Sequence, residues 1–300
     1  MSGAVPVETS PLATSLLGLV RRTSAELPAD VEAAITAAAR DELPGSRASY
    51  AGEVIQRNIE LAAERGLPLC QDTGTLLFFV RHPLGYDTLL LGETIRRSVA
   101  EATRLGYLRQ NSVDSLTGRN TGDNLGPGAP LLHYQAEARA DLDIRLILKG
   151  GGCENVGAQY SLPDTTLQAG RDLEGVRRTL LDAVFRAQGR GCAPGVLGVC
   201  IGGDRASGYA CSKEQFLRPL GEPSPVPELA ALEARVLAEA NSLGIGPMGF
   251  GGRTTLLGCQ IGHLNRLPAS FFVSVSYMCW AFRRQGVRLS TAGEVLQWLY

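Results

Sequence analysis

With 44% hydrophobic residues and a formal net charge of -1, this 300-residue chain has the composition of a core-forming protein, not of a fibre or a disordered tail. Lys and Arg are spread along it without the basic stripe that phosphate backbones demand, which argues against a nucleic-acid partner. No apolar run reaches the roughly 20 residues needed to cross a bilayer, and no basic start precedes the short apolar patch near the N-terminus. The expectation is a cytoplasmic protein with no membrane partner.

In chain order, residues 28–40 and 49–65 place apolar side chains at helical spacing, for example Val54, Ile55, Ile59 and Ala62, and the second run stops at Gly66 and Pro68. PLCQDTG (68–74) then crowds a thiol, an amide, a carboxylate and a hydroxyl into one turn. TLLFFV follows, a short aromatic-rich run that fits a buried strand. ETIRRSVAEATRLG (93–106) returns to helical spacing. LTGRNTGDNLGPGAP (116–130) is loop by composition, and a loop this rich inside a compact domain is usually functional.

From Asp141, IRLILK predicts a strand running into the glycines of KGGGCEN. Residues 173–187 predict an amphipathic helix, GCAPGVLGVCIGGD (191–204) a turn, a strand and a turn, and Pro225 to Leu243 a long helix closed by GIGPMGFGGRTTLLG. SFFVSVSYMC (270–279) alternates as a strand does, and the residues after Arg284 read as a short tail and a final helix. Without repeats or linkers, the fold class is α/β, mixed sheets with surrounding helices. One unit with a helical N-terminal layer is the economical reading: a helical segment over 1–45, a main domain over 46–285 and a C-terminal tail over 286–300.

Most sequence signatures of chemistry fail in context. GIGPMG (244–249) matches a dinucleotide fingerprint but follows a helix and contains Pro247; no phosphate loop and no G-x-S-x-G elbow exists. His82, His133 and His263 are isolated, which gives poor support to a zinc site. Seven cysteines, odd in number and widely spaced, argue against a disulfide scaffold and leave buried thiols or metal ligands. Cys200, Cys211 and Cys259 lie in or beside apolar runs and read as core. Cys70 and Cys192 sit in turns, where backbone N–H groups can serve a cluster's sulfurs, yet a buried thiol explains each as well. Asp72 reads equally as an Asx-type turn former or a proton carrier.

Six motifs taken together resemble one family. CQDTG (70–74), RNTGDN (119–124), KGGGCEN (149–155), GCAPGVLGV (191–199), GIGPMGFGGRTT (244–255) and CWAFRR (279–284) follow the order and approximate spacing of the iron-sulfur hydro-lyases, the class I fumarase and L(+)-tartrate dehydratase group. The likeness covers roughly residues 48 to 284 and is closest to the alpha subunit of the two-subunit members. It implies a fold like the N-terminal domain of class I fumarase and a hydro-lyase acting on a small 2-hydroxy dicarboxylate such as malate or tartrate. It also implies a 4Fe-4S cluster with one open iron, held by Cys70, Cys192 and Cys279. Carried over residue by residue, Gln71, Asp72 and Arg109 fall at the family's catalytic positions. Lys149, Gly150, Gly151 and Gly152 form its glycine-rich substrate loop. Asn120 and Thr121, with Asp123 and Asn124, either shape substrate or cap the loop.

Two positions depart from the pattern. The resemblance leads us to expect a further catalytic domain, which the chain lacks before its end at Tyr300, and hence a separate beta subunit. Where relatives place a substrate-contacting histidine, this chain has Leu267, which can neither donate a hydrogen bond nor carry charge. His263 or Arg266 could reach the same space from a neighbouring turn. The alternative readings are an altered substrate, such as a modified diacid, or a non-hydratase scaffold or sensor that keeps the cluster. Arg253 stands where relatives often have lysine, keeping charge with different donor geometry.

Overall fold

Residues 10–300 are described by a computed structural model; the first nine residues of the expected N-terminal segment lie outside the described residues. The chain divides into two units. Unit 1 takes the chain up to Pro28, Asn58–Gly150 and Ala281–Tyr300; unit 2 takes Ala29–Arg57 and Gly151–Trp280.

Unit 1 is built on a five-stranded sheet in the order β2-β1-β3-β8-β9, with β1 Thr75–Pro83, β2 Leu131–Glu137, β3 Leu142–Lys149, β8 Arg284–Leu289 and β9 Val295–Trp298. Only β1 and β2 run parallel; the other pairs are antiparallel. Leu76, Phe78 and Val80 of β1 share one face with Ile144, Leu146 and Leu148 of β3. That face is closed by Leu16 and Leu19 of α1 (Pro11–Ala25) and by Leu91, Ile95 and Val99 of α4 (Thr88–Arg104). Each such buried side chain contributes about 1.5–3 kcal/mol over leaving it in water. Ser10 caps α1 through its hydroxyl, with Pro11 at the first helical position.

Unit 2 carries a four-stranded sheet in the order β4-β7-β5-β6, with β4 Ala158–Ser161, β5 Gly195–Ile201, β6 Leu256–His263 and β7 Phe272–Met278. β5 and β6 are parallel, while β7 runs antiparallel to both β4 and β5. Val176, Leu180 and Val184 of α6 (Leu173–Ala187) and Leu229, Leu232 and Val236 of α8 (Pro227–Ser242) pack on Leu197, Val199, Val273 and Val275. Unit 2 also holds α2 (Ala29–Asp41), the short α5 (Gly151–Asn155) and α7 (Arg205–Glu214), while α3 (Arg47–Arg65) spans the division between units.

The α/β class with mixed sheets agrees with the expectation, as do α2, α3, β1, β3, α6, β5, α8 and β7. The final helix does not form. Val295–Trp298 instead pairs with β8 as β9, because a short apolar run carries no periodicity strong enough to resist an available strand edge. α4 starts at Thr88 instead of 93, since Asp87 accepts the N–H groups of Leu89 and Leu90 and caps the helix there.

Candidate functional site

In unit 1 the CQDTG turn is an Asx turn backed by two loop segments. Asp72 Oδ1 accepts the Gly74 N–H at 2.8 Å and the Asn111 side-chain amide at 3.3 Å. The Asp72 N–H lies 3.4 Å from Cys70 Sγ and donates to it. Thr73, fully buried, donates its hydroxyl to the Arg109 carbonyl at 2.7 Å and accepts the Arg109 N–H at 2.9 Å, and Arg109 Nε reaches the Cys70 carbonyl at 3.4 Å. Cys70, Asp72 and Arg109 are thus gathered, with the Gln71 and Arg109 side chains exposed.

Asn124 fixes that loop. In the left-handed region at φ 62, its Oδ1 accepts the N–H groups of Asn111 (2.9 Å) and Ser112 (3.1 Å). Its Nδ2 donates to Thr103 Oγ1 (3.0 Å) and the Arg109 carbonyl (2.8 Å). Every polar atom of this buried side chain is spent on the frame, so its role is structural. Asn120 donates to the Gln110 carbonyl at 2.9 Å and Thr121 N–H to the Ser112 carbonyl at 2.9 Å, which keeps the two loop segments side by side.

The turn abuts the end of β3. Gly74, at φ 78, comes so near Lys149 that a Cβ there would stand 2.5 Å from the Lys149 carbonyl, so only glycine fits. Lys149 is fully buried. A Cβ on Gly150 would lie 3.2 Å from Asp72 Oδ2 and 3.9 Å from Arg283 Nη2. Arg283 arrives from just before β8, where its carbonyl accepts the Leu148 N–H at 3.0 Å.

In unit 2, Cys192 and Cys279 meet through the backbone: the Trp280 N–H donates to the Cys192 carbonyl at 3.2 Å. Cys192 itself is left-handed, at φ 54 and ψ 60, after a 3-10 turn over Gln188–Gly191. Tyr277 belongs to β7, and its ring would be struck by a Cβ on Gly191 or Gly195. Burial pushes the Tyr277 hydroxyl up, and Cys279, Cys153 and Cys192 push it in the same direction. Its oxygen is buried with no hydrogen-bond partner among the described residues. Gly151 and Gly152 open α5 in this unit and are exposed. The loop after α8 is tied by Glu42, whose carboxylate accepts the N–H groups of Arg253 (2.9 and 3.0 Å) and Thr254 (2.9 Å). Arg253 Nη1 is spent on the Asp41 carbonyl at 3.0 Å.

Leu267 is 74% exposed. Arg266 Nη1 is turned back onto the carbonyls of Leu267, Pro268 and Ser270, and its guanidinium lies over the Phe271 ring. Arg266 is therefore committed to its own loop.

All seven cysteines are thiols in this structure, and among the described residues no three His, Cys, Asp or Glu side chains converge on a point that one metal ion could share. A cluster asks for something different, since each thiolate binds its own iron and the ligands stay apart. The buried Tyr277 hydroxyl, which has no partner among the described residues, fits a sulfur acceptor, so the residues present suit such a group. The sequence did not single out Asn111, Tyr277, Arg283 or Glu42. Arg283 lies within CWAFRR and Asn111 two residues after Arg109, but their partners come from distant segments.

The geometry defines an α/β protein whose turns present thiols, a carboxylate and an arginine. The family model for fumarate hydratase (Fumerase) matches residues 14–288, and the chain belongs to this family. It is 50% identical over 290 residues to a Geobacillus stearothermophilus protein named "Putative fumarate hydratase class I", covering 95% of this chain but 56% of that protein. It is 33% identical over 271 residues to the Methanocaldococcus jannaschii "Putative L(+)-tartrate dehydratase subunit alpha", covering 89% and 93%. It is also 33% identical over 251 residues to the L(+)-tartrate dehydratase subunit alpha of Escherichia coli (strain K12), covering 81% and 80%. The chain thus spans little more than half of the first relative and most of the other two. No helix among the described residues is long and apolar enough to cross a membrane.

Proposed function

We propose that this chain is the alpha part of a hydro-lyase that reversibly removes water from a small 2-hydroxy dicarboxylate such as malate or tartrate, in a reducing cytoplasmic compartment. The observation that carries the reading is the turn in which Cys70, Asp72 and Arg109 meet on a frame held by Thr73 and Asn124. Cys70, Cys192 and Cys279 would hold a 4Fe-4S cluster with one open iron, which when bound supplies a Lewis acid for the substrate hydroxyl, a poor leaving group on its own.

The chain's own residues supply the rest. In dehydration the C–O bond breaks, the adjacent C–H bond gives up its proton, and a C=C bond forms as water leaves. The proton that converts hydroxide to water is held on the Asp72 carboxyl group, which Gly74 and Asn111 orient through Oδ1. Negative charge grows on the substrate carboxylate next to the carbon losing its proton. Arg109 and the N–H groups of Gly150, Gly151 and Gly152 stabilise it, while Lys149 adds positive charge beneath. Gln71, exposed beside Asp72, orients substrate, and Asn120 and Thr121 shape the rim. A beta subunit supplies the remaining carboxylate contacts and the base.

The test is to purify the chain anaerobically with its beta partner, measure iron and sulfide, and assay malate, fumarate and L-tartrate. A colourless, iron-free protein without turnover sinks the reading. The exposed Leu267, with Arg266 committed elsewhere, favours a second reading in which the same chemistry acts on a diacid less polar on that side. Turnover of a methylated diacid exceeding that of malate and tartrate would select it.

A further inference from the structure

Arg283 has no place in the scheme above. It is 1% exposed, and its Nε and Nη1 have no hydrogen-bond partner among the described residues. A guanidinium has five donors and is always charged, so burying it without acceptors is costly. Such a side chain persists where an anion completes it. The fold shows where that anion would sit. Arg283 is held beside Leu148 just before β8, its Nη2 lies 3.9 Å from the position a Gly150 Cβ would occupy, and Asp72 Oδ2 lies 3.2 Å from the same position. Gly150, itself buried, thus leaves unfilled a small space with a carboxylate and a guanidinium beside it, within unit 1. The guanidinium fork matches a carboxylate in shape and charge, and a carboxylate bound there would bring the substrate up to Asp72.

We infer that Arg283 is a substrate-binding residue, receiving one carboxylate of the diacid in the space beside Gly150. The inference rests on the hydro-lyase reading for the identity of the diacid, though not for the binding of a carboxylate.

Malonate, an unreactive dicarboxylate, tests the binding apart from turnover. In the purified complex, millimolar malonate is expected to raise the melting temperature of the wild type and to leave Arg283→Met unshifted. Without malonate, Arg283→Met should melt no lower than wild type, because a buried charge lacking partners is replaced by an apolar chain of similar length. If the complex turns over malate, Arg283→Met should raise KM by about 100-fold, as expected where a charged contact to substrate is lost. Arg283→Lys keeps the charge without the fork and should give a smaller rise; it carries the test if the Met variant does not fold. An equal malonate shift in wild type and variant overturns the inference, as does no shift in the wild type. Absence of turnover in a wild type that malonate stabilises would instead count against the hydro-lyase reading alone.

Discussion

The Trp280 N–H donates to the Cys192 carbonyl at 3.2 Å, so two cysteines from distant motifs are joined through the backbone at the ends of β5 and β7. Cys192 holds a left-handed conformation, which costs a non-glycine residue about 1 kcal/mol. A thiol that holds the proposed cluster would offset that cost. Cys192→Ser and Cys192→Gly should both abolish bound iron and sulfide, yet the glycine variant should be the more stable of the two by about 1 kcal/mol in urea. Cys200→Ser, Cys211→Ser and Cys259→Ser should retain iron. Iron surviving in both Cys192 variants would remove it from the ligand set.

Asp72 joins two roles that substitution can separate. Asparagine keeps an oxygen for the Gly74 N–H but cannot carry the proton, whereas alanine loses both. Asp72→Asn is expected to lower kcat by about 10²- to 10⁴-fold with little change in stability. Asp72→Ala should lose about 1 kcal/mol in addition. Steady-state kinetics and urea titrations on the same preparations read both effects.

Asn124 answers a choice the sequence left open between framing the loop and shaping substrate. Its four hydrogen bonds lie inside a buried frame at positive φ. Asn124→Ala should destabilise the protein by about 3 kcal/mol, combining unsatisfied buried donors with backbone strain. Amide exchange in residues 109–112 should accelerate, and a stability change below about 0.5 kcal/mol would contradict the assignment.

Acid should act through Asp141. Burial pushes its carboxyl up, but hydrogen bonds from Arg288 (2.7 Å) and Arg139 (2.9 Å) more than offset this and hold it below the usual range. A depressed folded-state value means that the stabilisation is complete above the unfolded Asp value, about 3.9, and disappears as pH falls through the folded value. Wild-type stability should thus drop below about pH 4, and Asp141→Asn should be less stable at neutral pH with a shallower acid limb. Parallel curves for the two proteins from pH 2 to 6 would rule this out.

Periodic and compositional signals were legible where a segment's own chemistry decides its structure. Helices such as α6 and α8 present an apolar stripe, and the loop over 116–130 could be nothing else with so many glycines, asparagines and prolines. β2 and β6 escaped notice because β2 is largely exposed and β6 follows a glycine-rich loop, so neither alternates cleanly. α7 has little apolar periodicity and depends on the capping box of Asp204 and Ser207.

By itself the sequence determined the local chemistry of this protein: a thiol, an amide and a carboxylate in successive positions, a triple glycine after a strand, and a hydrophobic pattern for an α/β core. The tertiary structure alone decided what each group faces. Arg283 comes to Gly150 because β8 pairs with β3, and Tyr277 lies against Gly195 because β7 pairs with β5. Such neighbours are set by strand register between remote segments, which no local run of residues encodes.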